Sequence, residues 1–298
     1  MRVLVTGASG FVGGVACETL RGRGHEVHAL VRRPGSQPSD TKAVTGDLAD
    51  ADALDAAVSQ VSPEAILHLA AEIASQRSED RIREVNIEGT RRLIGAAQTS
   101  GVRRIVFAST VVTGEAGGAL LTEDAPLPVE TPYGRSKQEG ERLLLASGLE
   151  GIVIRPSHVY GPGGWYATEL IPLLKRPGRF AVIGNGKNLW DVVHVEDVAA
   201  ACADALERAD PGTIFHCADD KPITYYDFMA LTAKEMGLEA PRCIPAGIAR
   251  LAAGRHTVAA VTRSARSSNA KLKAELGWKP HYPTAAEGVP AAVAQMSR

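Results

Sequence analysis

The chain has 298 residues, with 33 basic and 34 acidic side chains, so its formal net charge is −1. This balance gives no long-range attraction to nucleic acid or to an anionic membrane surface, which excludes strongly basic classes of binding protein. We therefore expect a small-molecule partner and no nucleic acid. The length fits one large α/β domain, with or without an appended lobe.

The cysteines and the hydropathy pattern indicate the compartment. The four cysteines are too far apart for a metal knuckle or a dense disulfide framework, and they stand at Cys17, Cys202, Cys217 and Cys243. No segment reaches the roughly 18 consecutive apolar residues of a membrane helix, and the N-terminus does not resemble a signal peptide. We predict reduced thiols, a cytoplasmic location, no membrane partner and no bound metal.

Short runs rich in β-branched residues alternate with longer stretches that are compatible with helices. The predicted strands are 2–6, 27–31, 65–69, 104–108, 151–155 and 213–217. These strands are nearly continuous in apolar residues, as expected when helices cover both faces of a parallel sheet. The pattern predicts an α/β fold with a doubly wound, mostly parallel sheet of the Rossmann type.

The regular alternation ends after about Tyr160, where glycine and proline become frequent. The breaks fall at 161–164, Pro172, 177–178 and 184–186. We interpret this part as a smaller substrate lobe, at roughly 160–192 and 220–298, interleaved with a single Rossmann-type unit that spans 1–298. The alanine- and arginine-rich segment 246–265 is interpreted as an exposed amphipathic helix or as part of the substrate entrance.

A glycine-rich turn follows the first predicted strand and opens a stretch compatible with a helix through Leu20. Gly7 permits a tight turn, Gly10 lets backbone N–H groups approach a pyrophosphate, and Gly13 allows the helix to pack on the strand. The N-terminus of the helix adds a positive dipole. We predict a dinucleotide site that includes Gly7, Ser9, Gly10, Phe11, Val12 and Gly13.

The end of the second predicted strand indicates which dinucleotide binds. An NAD site usually carries an acidic residue here, and Val31 takes that place. Arg32 and Arg33 follow, and a guanidinium can bind a 2′-phosphate bidentately, which favours NADP(H) while NAD(H) stays possible. The alternative is that both arginines are merely solvated. Asp47 is placed to accept a hydrogen bond from the adenine amino group, or else to cap a helix.

Tyr133 and Lys137 are four residues apart and share one face if the segment is helical. A free tyrosine has a pKa of about 10, and an adjacent ammonium is expected to lower it. Ser109 and Thr110 end a predicted strand, where a hydroxyl can position the substrate oxygen. We predict Ser109, Tyr133 and Lys137 as catalytic residues, with Lys137 also binding the nicotinamide ribose and Thr110 contacting the substrate. Taken alone, such a tyrosine and lysine pair also occurs by chance on helix surfaces.

These motifs together resemble the extended short-chain dehydrogenase/reductase superfamily, in its epimerase- and dehydratase-like branch. Further matches that carry the resemblance are 46–48, 68–71, 86–90, 155–156, 159–163 and 194–199. The resemblance spans nearly the whole chain and implies an NAD(P)-dependent oxidoreductase. Tyr133 is then the proton donor or acceptor, Lys137 its activator and Ser109 the hydroxyl partner.

The resemblance also assigns residues around the cofactor. It implies that Ala70 lines the adenosine side, where Leu48 stands beside Asp47, and that Pro156 borders the nicotinamide. Asn86 is implied to be a structural residue. His194 likewise resembles a structural position rather than a proton carrier.

Two positions depart from the members that act on nucleotide sugars. Such members often carry an arginine where this chain has Trp190, and an asparagine where it has His158. An indole and an imidazole suit an apolar or aromatic substrate better than a pyrophosphate, although core packing explains either side chain equally well. The strand end at Val31 is similar to that of the NADPH-using reductases that act on dihydroflavonols and related ketones.

Three functions remain open at this point. The leading hypothesis is an NADPH-dependent ketoreductase for a small apolar or aromatic substrate, with Tyr133 protonating the carbonyl oxygen. The second is a nucleotide-sugar epimerase, dehydratase or 4-keto-deoxysugar reductase, because residues 155–163 also suit that branch. The third is a non-catalytic NADP-binding sensor, against which the retained Tyr133 and Lys137 argue. A homodimer is one possible assembly.

Overall fold

The computed structural model describes residues 1–73, 76, 78–176, 180–253, 258 and 261–297. Its strands are β1 (Arg2–Thr6), β2 (Glu26–Val31), β3 (Lys42–Thr45), β4 (Ala65–His68), β5 (Arg104–Ala108), β6 (Leu120–Leu121), β7 (Glu150–Pro156), β8 (His158–Tyr160), β9 (Ala181–Ile183), β10 (Leu189–Trp190), β11 (Val192–His194), β12 (Ile214–Cys217), β13 (Ile223–Thr224), β14 (Arg242–Ile244) and β15 (Arg266–Ser267).

Helices alternate with these strands along most of the chain. They are α1 (Phe11–Gly22), α2 (Ala51–Val61), α3 (Glu79–Arg83), α4 (Gly89–Thr99), α5 (Pro132–Leu145), α6 (Ile171–Leu174), α7 (Val195–Arg208), α8 (Tyr225–Glu235), α9 (Ala246–Ala253), α10 (Ala270–Leu276) and α11 (Ala285–Met296). Two π-helical turns, Glu84–Glu88 and Tyr166–Leu170, precede α4 and α6. No helix in the described ranges has both the length and the apolar character needed to cross a membrane.

Seven strands form one central sheet in the order β12-β7-β5-β4-β1-β2-β3. Every neighbouring pair in it is parallel. The prediction of a doubly wound parallel sheet of the Rossmann type is therefore confirmed. The six strands predicted from apolar runs are all present, and β3 supplies the seventh.

Two apolar cores cover the two faces of this sheet. Helices α1 and α7 pack on one face, where Leu20 and Phe215 are fully buried. Helices α2, α4 and α5 lie on the other, where Leu93 and Phe107 are buried. Because both faces are covered, the strands need no alternation of polar and apolar residues.

A third apolar core lies outside the sheet and is rich in aromatic side chains. It includes Tyr160, Tyr166, Trp190, Tyr225 and Phe228. These residues come from the segments predicted to form the substrate lobe, and the boundaries of that lobe stay a prediction. Of the segment 246–265, the structure gives α9 with an exposed Ile248, while residues 254–257 and 259–260 lie outside the described residues.

A late segment of the chain is tied to the loop that follows β5. Strand β15 pairs in parallel with β6, and the Gly118 N–H donates to the Ser264 carbonyl oxygen at 2.8 Å. Residues almost 150 positions apart in sequence are thereby joined beside the carboxyl edge of the sheet. This edge carries the residues predicted to bind the cofactor and the substrate.

Candidate active site

The glycine-rich turn connects β1 to α1 and has no room for a side chain at Gly7 or at Gly13. Gly7 has a φ of +70°, and a Cβ there would lie 2.6 Å from the Ala70 nitrogen. A Cβ on Gly13 would lie 2.0 Å from the Gly7 carbonyl oxygen. The first turn of α1 contains no acidic residue, so its N–H groups and dipole remain suited to phosphate. These features fit the pyrophosphate of a dinucleotide.

We expect Gly13→Ala to destabilise the fold and to weaken cofactor binding, because the added methyl group meets backbone within the turn. The cost is about 1–3 kcal/mol, as for other overpacked sites. Gly14→Ala is the matched control, since nothing lies within 4 Å of its added Cβ. Urea unfolding and fluorescence titration with NADPH measure both effects. Equal behaviour of the two variants would contradict the proposed role of Gly13.

The adenosine side of the site lies where β2 and β3 end. Val31 is buried, and both Arg32 and Arg33 are exposed. The Asp47 carboxylate accepts a hydrogen bond from the Ala49 N–H at 3.0 Å. The interpretation of Asp47 as a helix cap is wrong, because Asp50 caps α2 by accepting from the Ala53 N–H. Its interpretation as an adenine contact stays a prediction.

Leu48 and Ala70, which are predicted to lie on the adenosine side, are both bonded through their backbone. Leu48 is buried, and its carbonyl oxygen accepts from Arg92 at 3.0 Å. The Ala70 N–H donates to the Thr6 hydroxyl at 3.2 Å. Ala70 is therefore bonded beside the glycine-rich turn, and Leu48 is tied to α4.

The two hydroxyl residues after β5 differ in their bonding. Ser109 is buried, and its hydroxyl has no hydrogen-bond partner among the described residues. Thr110 donates its hydroxyl to the Pro156 carbonyl oxygen at 3.3 Å and accepts from the Val112 N–H at 2.9 Å. Ser109 is thus the hydroxyl available to a ligand. Thr110, predicted as a substrate contact, is bonded to the backbone instead.

Helix α5 presents Tyr133 and Lys137 on one face, as their spacing predicts. The Thr131 hydroxyl accepts from the Gly134 N–H and Pro132 stands in the first turn, so the helix begins just before Tyr133. The Lys137 ammonium lies 4.1 Å from the centre of the Phe107 ring. Ser109 follows β5 directly and stands two residues after Phe107, so an extended backbone places both side chains on the same side. The three predicted catalytic residues therefore lie on the same side of the sheet.

The protonation states differ from those predicted. Burial raises the pKa of Tyr133 to about 12. Burial also lowers the pKa of Lys137 to about 7, although the charge of Glu141 opposes that change. The prediction that Lys137 lowers the pKa of Tyr133 is wrong for the protein alone, because desolvation disfavours both charges. At neutral pH, Tyr133 holds its proton.

Asn86 connects the loop after β4 to the catalytic helix. It is 2% exposed, its amide nitrogen donates to the Ser136 hydroxyl and to the Glu72 carbonyl oxygen, and its oxygen accepts from the Glu72 N–H. Its amide therefore bonds on both sides, in keeping with the structural role implied by the resemblance.

A buried ion pair that the sequence analysis missed joins α5 to β7. Arg155 donates to Glu141 through Nε at 2.9 Å and through Nη2 at 2.6 Å, and both side chains are less than 10% exposed. Glu141 follows Lys137 by four residues, so Tyr133, Lys137 and Glu141 occupy successive turns of one helix face. This spacing of four residues is the feature of the sequence from which a role for Glu141 beside Lys137 could have been predicted. The pair holds the catalytic helix against the strand that ends at Pro156.

His158 and Trp190 lie against each other beyond β7. Their rings stack with centroids 4.4 Å apart and an angle of 9°. Trp190 is only 5% exposed and also contacts Tyr225 and Phe228, so packing explains this side chain. The side chain of His158 is 15% exposed. His194 is fully buried and caps α7 by accepting from the Glu196 N–H, which is a structural role.

The family is shown by similarity to known proteins. Residues 3–218 match the NAD dependent epimerase/dehydratase family. A 3-diazoavenalumate denitrifying reductase of a Streptomyces species is 32% identical, over 97% of this chain and 99% of the relative. A 4-hydroxy-2-methyl-3-oxo-4-farnesyl-3,4-dihydroquinoline-1-oxide ketoreductase of Stigmatella aurantiaca is 28% identical, over 80% of this chain and 75% of the relative.

The fold has a solved counterpart that binds a dinucleotide. The UDP-glucose 4-epimerase of Thermus thermophilus, in complex with NAD, superposes with a TM-score of 0.83 at 27% identity, over all of this chain and 99% of the other. The chain therefore belongs to the NAD dependent epimerase/dehydratase family. It is an NAD(P)-dependent oxidoreductase of the extended short-chain dehydrogenase/reductase type.

Proposed function

We propose that this protein is an NADPH-dependent ketoreductase that transfers a hydride to the carbonyl carbon of a small apolar or aromatic substrate. The observation that carries the proposal is the end of β2, where buried Val31 is followed by exposed Arg32 and Arg33. A carboxylate there would repel a 2′-phosphate, whereas two guanidinium groups attract it. Reductases that consume NADPH need this preference.

The residues of the site suit the direction of reduction. When bound, the dihydronicotinamide supplies the hydride to the carbonyl carbon. The Ser109 hydroxyl donates to the carbonyl oxygen and holds it beside Tyr133. Because Tyr133 is protonated at neutral pH, it can give its proton to that oxygen as the alcohol forms. Lys137 then relays a proton from solvent back to the phenolate, and it also holds the nicotinamide ribose.

The experiment begins with the nucleotide. Protein purified and then denatured is analysed for released dinucleotide, and the emptied protein is titrated with NADPH and NADH. Exchangeable binding that prefers NADPH, followed by NADPH oxidation with a panel of ketones and aldehydes, supports the proposal. Tightly retained NAD, or no turnover with any carbonyl, contradicts it.

We expect replacement of Arg32 and Arg33 by alanine to raise the KM for NADPH about tenfold to a hundredfold, because charge-assisted hydrogen bonds to the phosphate are lost. The KM for NADH stays unchanged. Arg103→Ala is the control, since that side chain is 81% exposed and precedes β5, at the amino ends of the strands, whereas Arg32 follows the carboxyl end of β2. Initial rates with each cofactor give the result, and an equal loss with NADH would contradict phosphate recognition.

A second candidate is a nucleotide-sugar epimerase, dehydratase or 4-keto-deoxysugar reductase. The similarity to the Thermus epimerase across the whole chain favours it. Saturation-transfer NMR with UDP-glucose and with a dTDP-sugar separates the two functions. Binding of either sugar nucleotide together with retained NAD supports the second candidate, and its absence removes it.

The relative named as a denitrifying reductase acts on a diazo compound, as its name states. A diazo compound therefore belongs in the substrate panel beside the carbonyl compounds. We further propose a cytoplasmic location, which the four free cysteines support. A homodimer also stays a proposal, which light scattering after size exclusion tests.

A further inference from the structure

His158 has a defined ring orientation beside the predicted catalytic residues. It is two residues beyond Pro156, whose carbonyl oxygen accepts from the Val111 N–H at 3.1 Å. One face of its ring is covered by Trp190 at 4.4 Å. The imidazole thus lies at the carboxyl edge of the sheet, next to the segment that begins with Ser109.

The hydrogen bonding of His158 defines its tautomer. Nδ1 lies 3.1 Å from the backbone carbonyl oxygen of Asp191. A carbonyl oxygen can only accept, so Nδ1 carries the proton. In the neutral imidazole, Nε2 is then a bare acceptor. No partner for Nε2 is present within the described parts of the chain.

Buried groups surround the Nδ1 side of the His158 ring. The Asp191 carboxylate lies 3.8 Å from Nδ1, where its charge also favours a proton on that atom. Burial opposes ionisation of Asp191, but the adjacent imidazole and the charge of Arg263 outweigh it, so its pKa lies below the usual value. The Ser267 hydroxyl donates to the same carboxylate.

Arg263 links the Asp191 carboxylate to the loop after β5. It is 4% exposed, lies 3.5 Å from Asp191, and donates to the carbonyl oxygens of Val111 at 2.9 Å and Gly114 at 2.5 Å. Asp191 and Arg263 are therefore positioning residues that fix the imidazole relative to the segment carrying Ser109. A turned ring would break the bond to the Asp191 backbone.

We propose that His158, with its proton on Nδ1, accepts through Nε2 a hydrogen bond from a hydroxyl group of the substrate, which makes the substrate class a phenolic carbonyl compound. A phenol is a good donor and brings an aromatic ring, which suits the adjacent indole. A diphosphate or carboxylate has no proton to donate and meets a lone pair backed by the Asp191 carboxylate. The proposal rests on the proposed ketoreductase function and adds a determinant of its specificity.

Binding and turnover test the proposal separately. The probes are 4-hydroxyacetophenone, 4-methoxyacetophenone and acetophenone, titrated into the NADP⁺-loaded protein. We expect the hydroxyl compound to bind about fivefold to tenfold more tightly than the methoxy compound, and this preference to vanish in His158→Phe. Phenylalanine retains a flat ring against Trp190 and has no nitrogen atom that can accept a hydrogen bond from the substrate. Equal affinities in the unsubstituted protein would overturn the proposal.

A second measurement does not depend on ligand affinity. Long-range ¹H–¹⁵N spectra of the histidine rings should give the Nδ1–H tautomer for His158, assigned by its loss in His158→Phe. An Nε2–H tautomer would overturn the proposal. If NADPH reduces none of the three probes, the proposed ketoreductase function is contradicted and the proposal for His158 is still judged by the affinities. If all three probes are reduced equally and bind equally, the proposal for His158 is overturned and the ketoreductase function stands.

Discussion

Tyr133→Phe is expected to lower kcat for carbonyl reduction about a thousandfold while leaving the affinity for NADPH unchanged. In the proposed mechanism the substitution removes the proton that Tyr133 transfers to the carbonyl oxygen, and general acid catalysis of this kind contributes about 10²–10⁴ in rate. Burial raises the pKa of Tyr133 to about 12, so the lost group is a donor throughout the neutral range. Single-turnover measurements of NADPH oxidation separate this loss from slow product release.

The control for this substitution is Tyr226→Phe. Tyr226 is a partly buried tyrosine that packs against the aromatic core of the lobe, far along the chain from α5. We expect loss of the Tyr226 hydroxyl to change kcat by less than about twofold. Substitutions away from the core seldom change the free energy of unfolding by more than about 0.5 kcal/mol. A fall in kcat of similar size in both variants would mean that Tyr133 acts only through stability.

Glu141→Ala is expected to lower the free energy of unfolding by about 3–5 kcal/mol. The substitution leaves the Arg155 guanidinium buried without its carboxylate, and Arg155 is 8% exposed. It also removes the charge that supports ionisation of Lys137, so a larger fraction of Lys137 becomes neutral at pH 7. Urea unfolding at neutral pH measures the loss of stability.

Two controls separate burial from charge. Glu139→Ala breaks an exposed pair with Arg142 on the same helix, and it should cost less than about 1 kcal/mol. The double replacement Glu141→Met and Arg155→Met removes both charges and should restore most of the stability lost in Glu141→Ala. If Glu141→Ala and Glu139→Ala cost the same, the buried pair is not a determinant of stability.

The fold could be predicted because its signals are local. Residues 105–108 of β5 are all apolar, and β1 leads through the glycine-rich turn directly into α1. The glycine spacing from Gly7 to Gly13 requires a turn of one shape, which the structure contains. Both kinds of signal depend on residues close together in sequence.

The contacts that support the site could not be predicted in this way. The bonds from Arg263 to Gly114 and Val111 join residues 149 and 152 positions apart in the chain. For Glu141, the helix periodicity indicated its place on α5 but not its partner Arg155 on β7. The direction of the Tyr133 pKa was also mispredicted. Burial decides it, and burial depends on how α5 packs against β5.

The same distant contacts set an order of events during biosynthesis. Gly7, in the turn after β1, packs against Leu69 and Ala70, which are synthesised early. The loop after β5 obtains its strand partner only when Arg266 and Ser267 have been synthesised. A nascent chain emerges from the ribosome with its N-terminus first. The contacts of Gly7 can therefore form long before Arg263 is available to bond Val111, Gly114 and the Asp191 carboxylate beside His158. A chain that stops before Arg263 would lack the bonds from Arg263 to Val111 and Gly114 and the strand that pairs with β6, so the loop carrying Ser109 would be without these supports.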